Sequence, residues 1–259
     1  MSQQLIEACR DNNKAKVVQL LESPSIVKRL NHVDGLLSRA VFWASADIVE
    51  ALLRKGARVD VWTDVFRIKE LPLHAACHVM CQIREDVIRT CELLLGDTNR
   101  HMNEPTVNTL DLFESIHRLP ISIAAVGGNV ELVDFFLHRG ADYDIQGCDR
   151  GSGPLQSAAS ANKPKVIDLL LKHDPRIINT LSQYQKRNVL GTALHAAAVE
   201  GAVSAVKALV AHPDCDVMLK DSIGHTAKEV AYMENEDDEK CFEDIIDILS
   251  NLEKCEITR

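Results

Sequence analysis

The sequence predicts an all-α solenoid: about seven helix-turn-helix units, joined by hairpin loops and closed at each end by an adapted cap. Three observations carry that expectation. A residue pair led by alanine recurs along the whole 259-residue chain, at Ala8, Ala40, Ala76, Ala124, Ala158, Ala197 and Ala231. After the pair comes an apolar stripe at helical spacing, as in Val133, Phe136 and Leu137 or Val206, Leu209 and Val210. The composition, 46% hydrophobic and 26% charged, can bury a core and excludes a disordered or collagen-like polymer.

The repeats are expected at about 3–31, 32–66, 67–118, 119–149, 150–190, 191–220 and 221–255, together forming a single domain over 1–259. The first runs from Leu5-Ile6-Glu7-Ala8-Cys9 through Val17, Leu20 and Leu21, and has Asn12 where later copies have glycine. In the second, Ala51-Leu52-Leu53-Arg54-Lys55-Gly56-Ala57 is the clear part, and Gly56 can end the helix because it tolerates the left-handed conformation. LPLHAAC, Leu71 to Cys77, opens the third. The fourth, LPISIAAVGGNVELVDFFLHRGAD from Leu119, is the cleanest, and Gly140-Ala141 closes it. The fifth and sixth read GPLQSAASANKPKVIDLLL from Gly153 and GTALHAAAVEGAVSAVKALV from Gly191. Pro72, Pro120 and Pro154 fall in a first helical turn, where a missing amide donor costs nothing. Leu73, Ile121, Leu155 and Leu194 are expected to point into the stack. Thr226 and Glu229 form a capping box in the seventh repeat, whose helices are separated by a very acidic turn.

These residues resemble the ankyrin repeat, with its template G-x-T-P-L-H-x-A-A-x-x-G-x-x-x-x-V-x-x-L-L-x-x-G-A. The resemblance covers nearly the whole chain. Successive alanines are 32, 36, 48, 34, 39 and 34 residues apart, three of them within one residue of the family's 33-residue period. Only Thr192 and Thr226 occupy the template threonine. Gly35, Leu71, Leu119 and Gly153 stand there elsewhere, so those helix caps should be weaker by roughly 1 kcal/mol each. The spacing of 48 marks an insertion, partly in HVMCQIRED and partly in Gly96 to Arg118. The resemblance implies a non-enzymatic interaction scaffold or adaptor, curved so that hairpin tips and first helices form a concave face that binds a protein or peptide. Candidate contacts on that face are Arg39, Trp43, Trp62, Phe66, Tyr143, Arg150, Tyr184, Lys186 and Arg187, because Trp, Tyr and Arg dominate binding hot spots.

Charge argues against nucleic acid as a partner. Lys and Arg total 29 against 38 Asp and Glu, a net charge of -9. From Met233 onward there are ten acidic side chains against Lys240, Lys254 and Arg259, which reads as a solvated cap. The eight cysteines are scattered and expected to be reduced. The start, MSQQLIEACRDNNK, lacks a secretory pattern, and no apolar run of about 18 residues is present. The expectation is a cytoplasmic protein, with the nucleus also open, monomeric on its own and without membrane insertion. Met1 and the short tail after the last helix read as those of a complete chain.

No catalytic constellation emerges. His74, Cys77 and Cys81 fall at i, i+3 and i+7 of a helix, with His78 and Cys91 nearby, but no CxxC pair accompanies them, so no metal is assigned. Ser152, in Gly147-Cys-Asp-Arg-Gly-Ser-Gly153, matches neither a phosphate loop nor a nucleophile turn and reads as a hairpin tip. His195 beside Thr192 reads as a brace between repeats. No cofactor is expected. The alternative is an enzyme or small-ligand binder whose pocket forms from the 77–118 insertion, with His101, His117, Cys77, Cys81 and Cys91 as candidates.

Overall fold

The structure, a computed structural model of the chain, describes residues 2–28, 30–31, 36–65, 68–78, 85–99, 101–108, 118–143, 152–183, 189–235 and 240–257. They gather into two compact bodies, Met1–Asp111 and Leu112–Arg259.

In the N-terminal body the helices are α1 (Ser2–Arg10), α2 (Lys14–Leu20), a short α3 (Pro24–Val27), α4 (Leu36–Trp43), α5 (Ala46–Arg54), α6 (Pro72–Cys77) and α7 (Val87–Leu95). The first helices α1, α4 and α6 pack in one row and the second helices α2, α5 and α7 in another. Between the rows lie Leu5, Val17, Ile48, Leu52, Leu73 and Leu94, all buried. Strands β1 (Thr63–Val65), β2 (Ile68–Glu70) and β3 (Val107–Asn108) form an antiparallel sheet in that order. Part of the 96–118 insertion is therefore tied back as a third strand on the hairpin of its own repeat, not left as a loop. Lys14, Asp47, Arg89 and Glu50 link three successive second helices, at 2.7 to 2.8 Å for each ion pair.

The C-terminal body repeats the plan with α8 (Pro120–Gly127), α9 (Val130–His138), α10 (Pro154–Ser160), α11 (Pro164–His173), α12 (Ala193–Val199), α13 (Val203–Val210), α14 (Ala227–Glu234) and α15 (Lys240–Ile257). A 3-10 turn at Pro175–Asn179 and the pair β4 (Ser182–Gln183) and β5 (Leu190–Gly191) connect the fifth repeat to the sixth. First helices α8, α10, α12 and α14 stack on one another, as do second helices α9, α11, α13 and α15. Ile121, Leu155 and Leu194 are buried beneath them, as expected.

Four of the turns between paired helices contain a residue at positive φ. Gly128 and Gly201 supply it at +79° and +62°, while Asn12 and Asn162 do so at +51° and +54°. Asparagine adds something glycine cannot. Asn12 Oδ1 accepts the Ser45 N–H and Asn162 Oδ1 the Ala205 N–H, both at 2.9 Å, so each ties its turn to the next repeat. The departure at Asn12 is thus a brace in place of a bare turn.

Alanine at the paired positions lets successive first helices approach closely. Ala124, Ala125, Ala158, Ala159, Ala197 and Ala198 have no exposed surface. Ala198→Tyr, which forces a ring in where α12 meets α14, is expected to cost roughly 1–3 kcal/mol, read as a lower urea midpoint. An unchanged midpoint would show that the alanine is not what sets this packing.

Candidate functional site

In four repeats the polar residue three positions after the template threonine, the template histidine, has one job. His74 Nδ1 accepts the Leu71 N–H at 3.1 Å, and its Nε2 donates to the Glu104 carbonyl at 2.7 Å. At the equivalent place His195 Nδ1 accepts the Thr192 N–H at 3.2 Å and Nε2 donates to the His225 carbonyl at 3.0 Å. Ser122 and Gln156 substitute for histidine and donate to the carbonyls of Ser152 and Thr180 at 3.0 and 2.8 Å. All four are buried. Each spends its hydrogen-bonding capacity on holding the following hairpin, which is a structural use. Burial pushes His74 down to about 4 and lowers His195 as well, so both braces are neutral imidazoles at pH 7.

Of the residues proposed for a pocket in the insertion, Cys77, Cys91 and His101 are described. Cys77 and Cys91 are fully buried. His101 Nδ1 bonds to Glu104 Oε1 at 2.7 Å, three residues away. Cys81 and His117 lie outside the described residues. Among the described residues no cluster of three or more His, Cys, Asp or Glu could hold a metal. A shallow recess lies elsewhere in the N-terminal body, lined by Leu30, Asn31, Ser38, Arg58, Thr63 and Pro72 among others. Arg58 there is held by Asp60 at 2.9 Å. Ser152 is likewise structural, its hydroxyl donating to the Gln183 carbonyl at 2.6 Å.

Four of the sequence-predicted contact residues are described. Trp43 is the last residue of α4 and Arg39 stands one turn before it, so both occupy one helix face. Arg39 is exposed, and Trp43 is 38% exposed with its ring edge-on to Phe42 at 5.9 Å. Trp62 is 40% exposed, immediately before β1, with its ring 6.2 Å from that of His74. Both tryptophans of the chain are therefore at the surface. Tyr143 is half-buried: its hydroxyl donates to Asp174 Oδ2 at 3.2 Å and its ring meets His173 edge-on at 5.0 Å. Arg176 bonds the same carboxylate and holds it well below the usual carboxylate range. Phe66, Arg150, Tyr184, Lys186 and Arg187 lie outside the described residues.

Sequence reasoning passed over other exposed apolar side chains, namely Val18, Leu181, Met218, Ile223, Tyr232 and Met233. One signal was available. Tyr232 replaces the second member of the small-residue pair, which is Cys9, Val41, Cys77, Ala125, Ala159 or Ala198 in the other repeats.

The helix rows and the braces, each spanning one repeat, agree with a comparison of the sequence with known families. The family model for ankyrin repeats, in three copies, matches residues 121–221. Over those residues the chain matches the ankyrin repeat. In three dimensions the ankyrin likeness extends well beyond that segment. The crystal structure of the human ASB11 ankyrin repeat domain superposes with a TM-score of 0.68 at 20% sequence identity, covering 93% of this chain and 96% of that one. At that identity the likeness establishes the fold alone. No curated protein matches this chain in sequence. Ankyrin repeats are generally protein–protein interaction modules. No described helix is long and apolar enough to cross a membrane.

Proposed function

We propose that this chain is an interaction scaffold, an adaptor that binds a partner protein or peptide on the concave face made by the hairpin tips and first helices of its repeats. One observation carries the reading. Trp43 ends a first helix, Trp62 sits on the next hairpin, and both keep more than a third of their surface in water. Exposed tryptophan is an unfavourable choice for a surface with no partner, and a favourable one for a surface that anchors one. Arg39, on the same face of α4 as Trp43, adds a planar donor that can grip a carboxylate or a backbone carbonyl. Tyr143, Phe66, Arg150, Tyr184, Lys186 and Arg187 are the further contacts that residue type nominates.

The test is a double charge substitution, Trp43→Glu with Trp62→Glu. The expected result is loss of the proteins retained by the intact chain in a quantitative pull-down, with the melting temperature almost unchanged. Retention of the same proteins would refute the assignment, and a large drop in melting temperature would make the two rings packing residues.

A further inference from the structure

The seven first helices can be compared position by position. The second residue of the small pair is buried in the first six: Cys9 and Cys77, Val41, and Ala125, Ala159 and Ala198 each keep 1% or less of their surface. In the seventh, on α14, it is Tyr232, which is 57% exposed. Three residues earlier, Ser122, Gln156 and His195 are buried and donate to a carbonyl 24 to 30 residues further on. The equivalent residue on α14 is Glu229, whose carboxylate has no proton to donate and instead accepts the Thr226 N–H at 2.7 Å. Met233 follows, 48% exposed. Residues 229, 232 and 233 stand at i, i+3 and i+4, so they occupy one face of α14. On α8, α10 and α12 that face is covered by the next helix of the row. On α14 it is bare, and Met218 and Ile223 of the adjoining segment are also exposed, at 45% and 59%.

The residues on this face narrow down what could cover it. A further repeat packed as in the interior needs a small side chain where Tyr232 stands and a donor where Glu229 stands, and this face offers neither. A second copy of the chain would bring together two strongly acidic ends. The segment 234–239 holds five carboxylates in six residues, and from Met233 onward ten acidic side chains face three basic ones. Glu234, Glu243, Asp244 and Asp247 are exposed among the described residues. Charge complementarity therefore calls for a cationic partner. The geometry calls for a helix, since a helix fills this face in each earlier repeat of the C-terminal body.

We infer that the exposed face of α14 docks a basic amphipathic helix of a partner protein, whose apolar stripe covers Tyr232 and Met233 and whose Lys and Arg side chains meet Glu229 and the acidic end of the chain. Tyrosine supplies a rigid anchor with a polar tip, and methionine adapts to the shape of the apolar stripe. This site stands on residues of the C-terminal body and does not depend on the tryptophan surface of the N-terminal body.

The probe is a synthetic, fluorescently labelled peptide with leucine at i, i+3, i+4 and i+7 and lysine on its other face, titrated with the full chain and read by anisotropy. Two controls share its leucines or its composition: one with glutamate for lysine, and one scrambled to remove the stripe. The basic amphipathic peptide is expected to bind about tenfold or more tightly than either control. Tyr232→Lys with Met233→Lys should weaken it by a similar factor, while Trp43→Glu with Trp62→Glu should leave it unchanged. Tyr232→Ala with Met233→Ala provides a milder variant, expected to lose affinity at an unchanged melting temperature. Equal binding of the three peptides, no binding of the basic one, or affinity indifferent to both α14 variants would overturn the inference. So would loss of affinity in the tryptophan variant, which would move the peptide to the other surface.

Discussion

Phe136→Ala is expected to lower the unfolding free energy by about 3–5 kcal/mol. Phe136 is the bulkiest fully buried side chain described, on α9 in the second-helix row, with its ring centroid 5.5 Å from that of Phe135. The loss combines the transfer free energy of the ring with the cavity it leaves, because α9, held by its paired helix α8 and by α11 of the following repeat, can close only part of the space. Typical domains have about 5–15 kcal/mol in total, so this one substitution removes a large share. Phe135→Ala is the control. Its ring is half-exposed and lies under the Arg139 guanidinium at 5.2 Å, so its truncation should cost much less. Urea denaturation followed by circular dichroism measures both. A loss below about 1 kcal/mol for Phe136→Ala would show that the repeat collapses around the missing ring.

The second large effect is acid sensitivity between pH 6.5 and 4. Folded His74 stays neutral down to about 4, whereas the unfolded imidazole takes up its proton near 6.5. Between those values the unfolded state binds more protons, so stability falls as the pH drops from 6.5 toward 4. For this one group the full effect is roughly 3 kcal/mol at the acid end. The cause is local. Protonation would put a hydrogen on Nδ1, against the Leu71 N–H that it accepts, in a site closed to water and near His78 and His101. His195 acts in the same direction through its own brace. Asp47, Asp60 and Asp174 have lowered values, so their contributions are lost as the pH falls from the ordinary carboxylate value of 3.8, below the His74 window. His74→Gln tests the assignment, since Gln156 already makes the equivalent bond to Thr180. Urea midpoints of the variant should fall less steeply with acid than those of the parent chain. The same slope in both would assign the acid sensitivity to other groups.

Much of this architecture could be read from the one-dimensional pattern. A repeat stack buries only what its neighbours supply, so each copy must carry its own small pair, apolar stripe and helix stop, and the periodicity exposes them. The capping box at Thr226 is a local interaction between residues three apart, and it forms as its residues predict. The histidine braces were partly legible: His195 next to Thr192 suggested a brace, while its acceptor, the His225 carbonyl 30 residues on, depends on how one repeat sits against the next. The strand pairing of 107–108 with the hairpin of its own repeat was beyond sequence reasoning, since a two-residue strand has no periodicity to detect.

The candidate surfaces divide in the same way. Residue types nominated Trp43 and Trp62, but exposure is a property of the packed chain, and the same argument nominated Tyr143, whose hydroxyl is engaged by Asp174. The bare face of α14 shows the division most clearly. Tyr232 in an alanine position and Glu229 in a histidine position are sequence facts, yet each reads as a minor departure until the structure shows that the six residues equivalent to Tyr232 are all buried. Sequence by itself determined the repeat and its period, because those rest on contacts within about forty residues that recur along the chain. Tertiary structure alone decided which side chains remain in water, because burial of any residue on a first helix is set by the repeat that follows it.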